Sequence, residues 1–359
     1  MNSRKEELEK FRKFNGPLID VRSPGEYYKG HMPNSINIPL FDNEERSIVG
    51  TVYKNYGRQE AVIKGLEFLA IKIENIINKL FEVINDHQLT SHNSQFSDPT
   101  LKIYCARGGM RSQSICWLLE KYNHKSVTLK NGYKSYRKWT LDSFNKKWKI
   151  VVMGGKTGTG KTKILKLLRD NNYQIIDLEG LASHRGSTFG GLGMKAQPSN
   201  EQFENTIAEE LKGFIKNKKI FVEAESANIG KCKIPHEFFS QMKTAERIEI
   251  KKSESNRLEE LINTYSIFKE KDLIEAVLRI KKRLGPQRTK NAVESIKNKD
   301  WESVCKSVLE YYDKCYEHEK IGKNNIKTLD MTDMFDDQTT LRLIKAVSYT
   351  HLTLPTIMP

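Results

Sequence analysis

Residues 101–116 read Leu-Lys-Ile-Tyr-Cys-Ala-Arg-Gly-Gly-Met-Arg-Ser-Gln-Ser-Ile-Cys. The apolar start predicts a strand that ends just before Cys105, and a Gly-rich turn leads into a helix predicted from Ser112 to Tyr122. A thiol in this place is a candidate nucleophile, because amides at a helix N-terminus and the cations Arg107 and Arg111 favour the thiolate. The same turn is suited to holding an anion. Its candidate ligands are Arg107, Gly108, Gly109, Arg111 and Ser112.

Residues 155–162, Gly-Lys-Thr-Gly-Thr-Gly-Lys-Thr, match the G-x-x-x-x-G-K-[ST] pattern of a phosphate-binding loop. The preceding run from Ile150 to Met153 predicts a buried strand, and residues 163–169 have helical periodicity. In such a loop the backbone amides cradle phosphates, Lys161 reaches the terminal pair, and Thr162 is placed to hold Mg²⁺. The motif therefore predicts a diphosphate or nucleotide site. Its candidate ligands are Gly155, Gly158, Gly160, Lys161 and Thr162.

Length and composition indicate a soluble protein of more than one domain. A chain of 359 residues suits two domains and an extension rather than a single core. Apolar residues make up 38% and charged residues 29%, which is typical of a globular protein. We expect no membrane span, because no run of about 18 apolar residues occurs. We expect a cytoplasmic protein, because the charged residues 1–7 lack the apolar core of a secretion signal.

The five cysteines are an odd number without metal-ligand spacing, which predicts reduced thiols and identifies no certain metal site. Cys105 has the setting of a nucleophile. The others are predicted to be packing residues: Cys116, Cys232, Cys305 and Cys315.

The formal charge of +15 suggests a polyanionic partner. Residues 279–290 carry six basic and no acidic side chains, and residues 130–149 carry seven basic side chains with Tyr133, Tyr136 and Trp139 among them. Such stretches suit a nucleic-acid groove, where aromatic rings stack on unpaired bases. A solvated helix face is the alternative. The candidate nucleic-acid contacts are Lys281, Lys282, Arg283 and Arg288.

The chain is predicted to divide near residue 146. The first part alternates helices, at 4–14 and 61–85, with strands at 18–21, 36–39, 101–104 and 127–129, and a polar loop at 88–100. The second part has further strands at 174–177 and 220–223. The last twelve residues lack every Lys, Arg, Asp and Glu and resemble translated adapter sequence. The predicted segments are 1–146, 147–252, a basic helical extension at 253–347, and a non-native tail at 348–359.

Several ionisable residues follow the predicted strands. Glu223 and Glu225 are candidates to hold Mg²⁺ through water as acidic partners of Thr162, and a solvated turn is the alternative. A base or cation that meets substrate is sought among Asp177, Glu179, His184 and Arg185. In the first part, Asp20 and Arg22 are expected to fix the loop around Cys105, and His31 to satisfy a backbone carbonyl.

Together these residues carry a family resemblance. Residues 20–39, which begin Asp-Val-Arg-Ser-Pro-Gly-Glu-Tyr-Tyr-Lys-Gly-His, resemble the N-terminal signature of a rhodanese domain, and Cys105 stands where that fold keeps its sulfur-carrying cysteine. A rhodanese domain ahead of a phosphate-binding loop resembles the tRNA 2-selenouridine synthase family. Further stretches at 42–54, 104–113, 178–187 and 283–285 extend the resemblance over about residues 15–320. The implied fold class is α/β: a rhodanese-like domain, then a P-loop NTPase-like parallel α/β domain with a helical C-terminal extension.

The resemblance implies a two-step reaction on the wobble 2-thiouridine of tRNA. Geranyl diphosphate first alkylates the sulfur, and selenium from selenophosphate then displaces the S-geranyl group, through a selenium adduct on Cys105. Arg46 and Lys54, in the segment particular to this family, are candidates for diphosphate or tRNA contacts. An enzyme that supplies selenophosphate is an implied partner, and no tightly bound cofactor is expected. Ala106 departs from the aromatic residue expected in relatives, which puts a stacking role there in doubt.

Some alternatives stay open. The phosphate-binding loop suits a nucleotide as well as geranyl diphosphate, and the oligomeric state is not indicated. Five residues separate Cys105 from Arg111, a spacing that suits a tetrahedral anion such as selenophosphate but also a cysteine phosphatase. Tyr104 stands where such phosphatases usually have His. A rhodanese-type sulfurtransferase, or a kinase or NTPase whose first domain is regulatory, are the further alternatives.

Overall fold

The computed structural model describes residues 4–90, 99–186, 189–318, 326–332 and 337–348. The chain divides into two compact units between Ser143 and Phe144. The tail was predicted at 348–359, and Ser348 is the last residue of a described helix. Residues 349–359 of that tail and residues 91–98 of the predicted polar loop lie outside the described residues. No helix in the described ranges is long and apolar enough to cross a bilayer.

The first unit is built on five parallel strands in the order β1-β5-β4-β2-β3. The alternation of strands and helices in this unit agrees with the predicted α/β class. Its elements are β1 (Lys5–Glu6), α1 (Leu8–Arg12), β2 (Leu18–Asp20), α2 (Pro24–Lys29), β3 (Ile36–Asn37), α3 (Asn43–Tyr56), α4 (Arg58–Thr90), β4 (Leu101–Tyr104), α5 (Met110–Lys121), β5 (Ser126–Leu129) and α6 (Gly132–Phe144).

The core of the first unit surrounds β4, the strand that leads to Cys105. Leu101 and Ile103 are fully buried, and they pack with Leu80 of α4 and Ile115 of α5. Strand β4 lies between β2 and β5, so it is covered on both edges and both faces. Cys105, the residue after β4, therefore lies at the carboxyl edge of the sheet.

The N-terminal segment differs from the helix predicted over residues 4–14. Lys5 and Glu6 pair in parallel with β5, and only Leu8–Arg12 is helical. The edge of the sheet satisfies the backbone there, since the Thr128 amide donates to the Arg4 carbonyl at 2.9 Å and the Lys130 amide to that of Glu6 at 2.9 Å. A strand of two residues is too short to show an alternating pattern of apolar and polar residues. The sequence therefore predicts only the helix.

The aromatic residues of α6 do not form the nucleic-acid platform considered for residues 130–149. Tyr136 is fully buried and Tyr133 is 6% exposed, both in a core cluster with Phe11 and Tyr104. Trp139 packs against that cluster under the Arg12 guanidinium, 3.8 Å from its ring centroid. These rings are core residues because one face of α6 packs on the sheet. The charged residues on the other face of the helix make this packing hard to predict from the sequence.

Asp20 and Arg22 form a buried ion pair behind the Cys105 loop. Arg22 Nη2 lies 2.7 Å from Asp20 Oδ2 and donates to the Gly30 carbonyl at 2.6 Å, and the guanidinium lies over the Tyr133 ring. We expect Asp20→Ala to destabilise the first unit by about 3–5 kcal/mol, because it leaves the Arg22 charge buried and unpaired. Hydrogen exchange of the β2 and β4 amides measures this unit separately from the second.

The matched control for that variant is Glu67→Ala, which removes an exposed ion pair with Lys64. Exposed pairs contribute less than about 1 kcal/mol, so β2 and β4 protection should hardly change. Equal losses of protection in the two variants would contradict the structural role of the Asp20–Arg22 pair.

The second unit contains a five-stranded parallel sheet in the order β12-β11-β6-β8-β7, with a short antiparallel hairpin of β9 and β10. Its elements are β6 (Lys149–Gly155), α7 (Lys161–Asp170), β7 (Gln174–Ile176), α8 (Leu178–Ala182), α9 (Asn200–Lys212), β8 (Lys219–Glu223), β9 (Asn228–Ile229), β10 (Cys232–Lys233), α10 (His236–Thr244), β11 (Glu246–Lys251), α11 (Glu254–Tyr265), α12 (Glu270–Arg279), α13 (Lys281–Leu284), α14 (Pro286–Lys297), α15 (Trp301–His318), β12 (Ile326–Asp330) and α16 (Asp337–Ser348).

The C-terminal extension is mostly helical, as predicted, and it also completes the sheet. Strand β12 pairs in parallel with β11 over five residues, and Ile344 of α16 packs in the same core cluster as Leu165 of α7. Neither β11 nor β12 was predicted. Strand β11 reads Glu-Arg-Ile-Glu-Ile-Lys, and its Arg247 is 1% exposed and paired with Glu249 at 2.7 Å. Because charged residues alternate with the apolar ones, the sequence of β11 does not indicate a central strand.

Three of the four cysteines predicted to be packing residues are buried free thiols, namely Cys116, Cys232 and Cys305. Burial raises the pKa of Cys116 to about 12 and that of Cys305 to about 11. Both thiols are therefore protonated near neutral pH and poorly nucleophilic. The side chain of Cys315 lies outside the described residues.

Candidate active sites

Cys105 is the first residue after β4, at the start of the turn that leads to α5. Its side chain is 2% exposed, and its Sγ lies 3.3 Å from Ser112 Oγ and 4.0 Å from the Gly109 carbonyl. Gly109 is the N-cap of α5, so the first free amides of that helix border the thiol. The helix N-terminus predicted beside the thiol is therefore present, and the Ser112 hydroxyl is an additional neighbour that the sequence did not indicate.

The turn is held in shape by close backbone packing. Gly108 has φ 62°, and a side chain there would meet the Leu129 carbonyl. Gly132 lies so close to the Cys105 carbonyl and the Gly108 amide that any Cβ would clash. The amides of Tyr133 and Lys134 donate to the Cys105 and Ala106 carbonyls at 2.8 and 3.0 Å. The start of α6 therefore fixes the carbonyl side of the turn.

Arg111 is paired with a carboxylate that also faces Arg46. Arg111 Nη1 lies 2.8 Å from Glu26 Oε2, and Arg46 Nε lies 3.6 Å from the same oxygen. Burial disfavours the Glu26 carboxylate, but the hydrogen bond from Arg111 and the charges of both arginines hold its pKa below its usual value. Two cations thus share one anion and leave a net positive charge beside the Cys105 turn.

The other predicted ligands of the turn differ in exposure. Arg107 is exposed, whereas Ser112 is fully buried with its hydroxyl donating to the Gly109 carbonyl at 3.2 Å. Ser112 therefore contacts the thiol and the turn itself. Lys54 is exposed on α3, the helix that also carries Arg46.

His31 occupies the structural position expected for it. Its Nδ1 lies 3.0 Å from the Tyr27 carbonyl, and its ring stacks on Tyr27 at 3.8 Å. Burial lowers the pKa of His31, which favours the neutral ring. Next to it, the Tyr104 hydroxyl accepts from the Met32 amide at 3.1 Å. Both contacts anchor the segment after α2.

The phosphate-binding loop joins β6 to α7, as predicted. Gly155, Gly158 and Gly160 have φ of 147°, 83° and 81°, values that favour glycine. Lys161 Nζ donates to the Gly155 carbonyl at 2.7 Å, which folds the lysine back over the loop. Thr162 is exposed in the first turn of α7. The loop thus presents amides and one ammonium group around a concave surface.

A cavity of about 510 Å³ opens over this loop, a size within the range of small-molecule sites. It brings together the loop and four residues predicted from the sequence: Asp177, Glu179, Arg185 and Glu225. Its wall also contains residues that the sequence did not indicate, among them Met194, Leu261, Tyr265 and Tyr312. The cavity is therefore polar at the loop and partly apolar elsewhere.

Acidic side chains lie close together beside the loop. Glu223 is 3% exposed, and its Oε1 accepts from the Glu179 amide at 2.7 Å, while its Oε2 is buried without a hydrogen-bond partner among the described residues. Burial and the neighbouring carboxylates of Asp177 and Glu179 raise the pKa of Glu223 well above its usual value, and burial also raises the pKa of Glu179. Within the described ranges no group of three or more His, Cys, Asp or Glu is arranged to hold a metal ion.

His184 and Arg185 lie in the turn after α8. Arg185 Nη1 donates to the Leu192 carbonyl at 2.9 Å, and Arg185 lines the cavity. His184 is half-buried, and burial lowers its pKa. Arg185 is thus the member of this pair that reaches the cavity wall.

The helical extension holds the phosphate-binding loop through an ion network. Arg257 of α11 donates to the Thr157 carbonyl at 2.8 Å and binds Asp313 of α15 with both terminal nitrogens, at 3.0 and 2.5 Å. Lys156 Nζ lies 3.2 Å from the same carboxylate. Burial opposes ionisation of Asp313, but Arg257 and Lys156 hold its pKa below its usual value. No local motif marks these residues, which are separated by long stretches of chain.

The basic stretch predicted to contact tRNA lies on α13 and the start of α14. Lys281, Lys282 and Arg288 are exposed, and the side chain of Arg283 lies outside the described residues. The apolar residues of the stretch, Ile280 and Leu284, are buried in the helical core. The cations therefore form the outer face of a packed helix pair.

Comparison with known proteins agrees with this architecture. The family model of the rhodanese-like domain matches residues 4–139, and that of the tRNA 2-selenouridine synthase AAA domain matches residues 148–334. A curated tRNA 2-selenouridine synthase from Sulfurovum sp. is 33% identical over 341 residues, 85% of this chain and 89% of that relative. Relatives of the same name from Nitrosomonas eutropha and Shewanella sediminis are 34% and 36% identical over 70% and 69% of this chain.

The matched stretch spans 63% of the length of the Nitrosomonas relative and 65% of the Shewanella relative. Two matched domains in the same order, and a relative matched over nearly its whole length, agree with the two sites built above. The chain belongs to the tRNA 2-selenouridine synthase family.

Proposed function

We propose that this chain converts 2-thiouridine at the wobble position of tRNA to 2-selenouridine in two chemical steps. A thione sulfur is a poor leaving group until alkylation turns it into a thioether, so the first step prepares the second. The two steps are assigned to the two sites described above. The observation that carries the proposal is that one chain holds a thiol at a helix N-terminus and, in its second unit, a cavity of about 510 Å³ over a phosphate-binding loop with a partly apolar wall.

The first step is assigned to the cavity of the second unit. Geranyl diphosphate places its diphosphate on the loop amides and Lys161, and its hydrocarbon tail against the apolar wall. The uridine sulfur attacks C1 of the geranyl group, the C1–O bond breaks, and diphosphate leaves with the electron pair. The uridine N3 proton passes to water, so the S-alkylated base is neutral. The positive charge of Lys161 stabilises the leaving group as it forms.

Mg²⁺ is a proposed companion of the diphosphate. Hard oxygen donors suit this ion, and the observation that fits it is the buried Glu223 Oε2, which has no hydrogen-bond partner in the part of the chain that the structure describes. Thr162, and Glu223 and Glu225 through water, would hold the ion. When bound, it neutralises charge on the diphosphate.

The second step is assigned to Cys105. Selenophosphate binds as a tetrahedral anion next to the thiol, where the amides of α5 and the cations Arg111 and Arg46 hold it. The Cys105 sulfur attacks the phosphorus of selenophosphate, the thiol proton passes to the departing selenium, and the P–Se bond breaks so that hydroselenide leaves with the electron pair. Hydroselenide then bonds to C2 of the alkylated uridine, and geranyl thiolate leaves with the electrons of the broken C–S bond. Water hydrolyses the S–P bond on Cys105, which releases phosphate and restores the thiol. We propose that the tRNA reaches the chain in the cytoplasm, that the cations of α13 and α14 attract its phosphates, and that another enzyme supplies selenophosphate.

Mass spectrometry of nucleosides tests the whole proposal. Purified chain, 2-thiouridine tRNA and geranyl diphosphate should give S-geranyl-2-thiouridine, and added selenophosphate should convert it to 2-selenouridine. Unmodified tRNA under both conditions would overturn the assignment. Release of phosphate from ATP or from a phosphate monoester by the same preparation would then favour the kinase or phosphatase alternatives.

Arg111→Ala tests the anion site of the first unit. We expect about a tenfold rise in the KM for selenophosphate, because one charge-assisted hydrogen bond of about 1.4 kcal/mol is removed. Geranylation should be unchanged. Lys121→Ala, at the opposite end of α5, is the matched control. The same KM for wild type and Arg111→Ala would show that Arg111 serves only to hold Glu26.

A further inference from the structure

The apolar part of the cavity wall comes from outside the phosphate-binding fold. Leu261 and Tyr265 belong to α11, Tyr312 belongs to α15, and Met194 lies in the segment before α9. The remainder of the wall includes the loop at 157–163 and the polar residues beside it. A ligand whose diphosphate sits on the loop therefore has its other end confined by the helical extension.

The apolar wall is rigid. Leu261 is 5% exposed, the Tyr265 ring lies 5.5 Å from that of Phe189, and the Tyr312 ring lies 5.1 Å from that of Tyr311. Close-packed rings of this kind yield little to a larger ligand, since overpacking a core is unfavourable.

The wall is also fixed relative to the phosphate-binding atoms. Asp313, the residue after Tyr312, binds Arg257 and Lys156, and Arg257 in turn donates to the Thr157 carbonyl of the loop. The span from the diphosphate position to Tyr312 is thereby set by an ion network.

We propose that Met194, Leu261, Tyr265 and Tyr312 set the length of the prenyl chain that this protein transfers. The inference rests on the function proposed above and adds the determinant of substrate size. The diphosphate is fixed at the loop, so a longer prenyl chain needs more room at this apolar wall, and a shorter chain leaves part of the wall uncovered. In every case the C1–O bond of the prenyl diphosphate breaks, the S–C1 bond forms, and diphosphate leaves with the electron pair.

A competition experiment tests this proposal. Wild type and variants receive 2-thiouridine tRNA with equal concentrations of dimethylallyl, geranyl and farnesyl diphosphates, and the S-alkylated nucleosides are quantified by mass spectrometry. Tyr312→Ala should raise the ratio of farnesyl to geranyl product at least about tenfold, as expected when a hydrophobic pocket gains room. Met194→Trp should shift the ratio the opposite way, toward the dimethylallyl product.

Lys306→Ala is the matched control, because Lys306 is an exposed residue of the same helix that does not line this cavity. Its product ratios should equal those of wild type. If Tyr312→Ala does not fold, Tyr312→Leu repeats the measurement. Wild-type ratios in both the Tyr312 and Met194 variants, or an equal shift in Lys306→Ala, would overturn the chain-length proposal, while geranyl transfer by wild type would keep the proposed function. No alkylation by wild type would overturn the proposed function itself.

Discussion

Cys105→Ala is expected to stop selenation while leaving geranylation intact. Removal of a catalytic nucleophile typically costs about 10³-fold or more in rate, and here it also removes the Sγ that lies 3.3 Å from Ser112 Oγ. The alkylated nucleoside should therefore accumulate in the presence of selenophosphate. Time courses of both nucleosides by mass spectrometry separate the two rates, since the first step belongs to the other unit.

Cys116→Ala is the matched control for that variant. Cys116 is a buried thiol on α5, and burial raises its pKa to about 12, so it is a poor nucleophile at neutral pH. Its removal should leave both steps within a few-fold of wild type. Selenation by Cys105→Ala at the wild-type rate would exclude the cysteine from the reaction and reopen the assignment of the first unit.

Lys161→Ala is expected to give the largest loss in the first step. An ammonium group aimed at a leaving diphosphate contributes through charge stabilisation, and removal of one such group costs on the order of 10²–10³-fold in kcat/KM. Lys161 is held close to the loop by its hydrogen bond to the Gly155 carbonyl, so little reorganisation precedes its contact with a ligand. Single-turnover alkylation of 2-thiouridine tRNA with geranyl diphosphate measures this rate.

Lys166→Ala provides the comparison, because Lys166 is an exposed lysine of the same helix that does not line the cavity. Pre-alkylated tRNA should still be selenated by Lys161→Ala at the wild-type rate. A defect in that second step would mean that the phosphate-binding loop takes part in both reactions.

The features that could be predicted from the sequence are those that local chemistry determines. The strand before Cys105 has four residues with buried positions on both faces, and the phosphate-binding loop needs glycine at three positions of positive φ, so both patterns are strong. Strands β1 and β11 were not predicted from the sequence, because contacts with other parts of the fold stabilise them. Lys5 and Glu6 pair with the edge of a sheet, and Arg247 is buried beside Glu249. The amino-acid sequence of a strand does not show which residues elsewhere in the fold will contact it.

The site could be predicted only in part, for a similar reason. Arg111 and Glu26 are far apart in sequence, and only the fold brings them to a distance of 2.8 Å. The cavity wall from α11 and α15 is likewise a product of helix packing. Tyr133 and Tyr136 show the converse error, since aromatic residues among lysines are as compatible with a helix that covers a sheet as with an RNA surface.

Strand β12 has a consequence for how the chain is made. During synthesis the first unit can fold once α6 has emerged, whereas β11 leaves the ribosome long before its partner β12. At about 5–20 residues per second, the open edge of β11 waits for several seconds with unpaired amides and carbonyls. We therefore expect a chain that ends before residue 326 to expose this edge of β11, which another unpaired strand could then occupy.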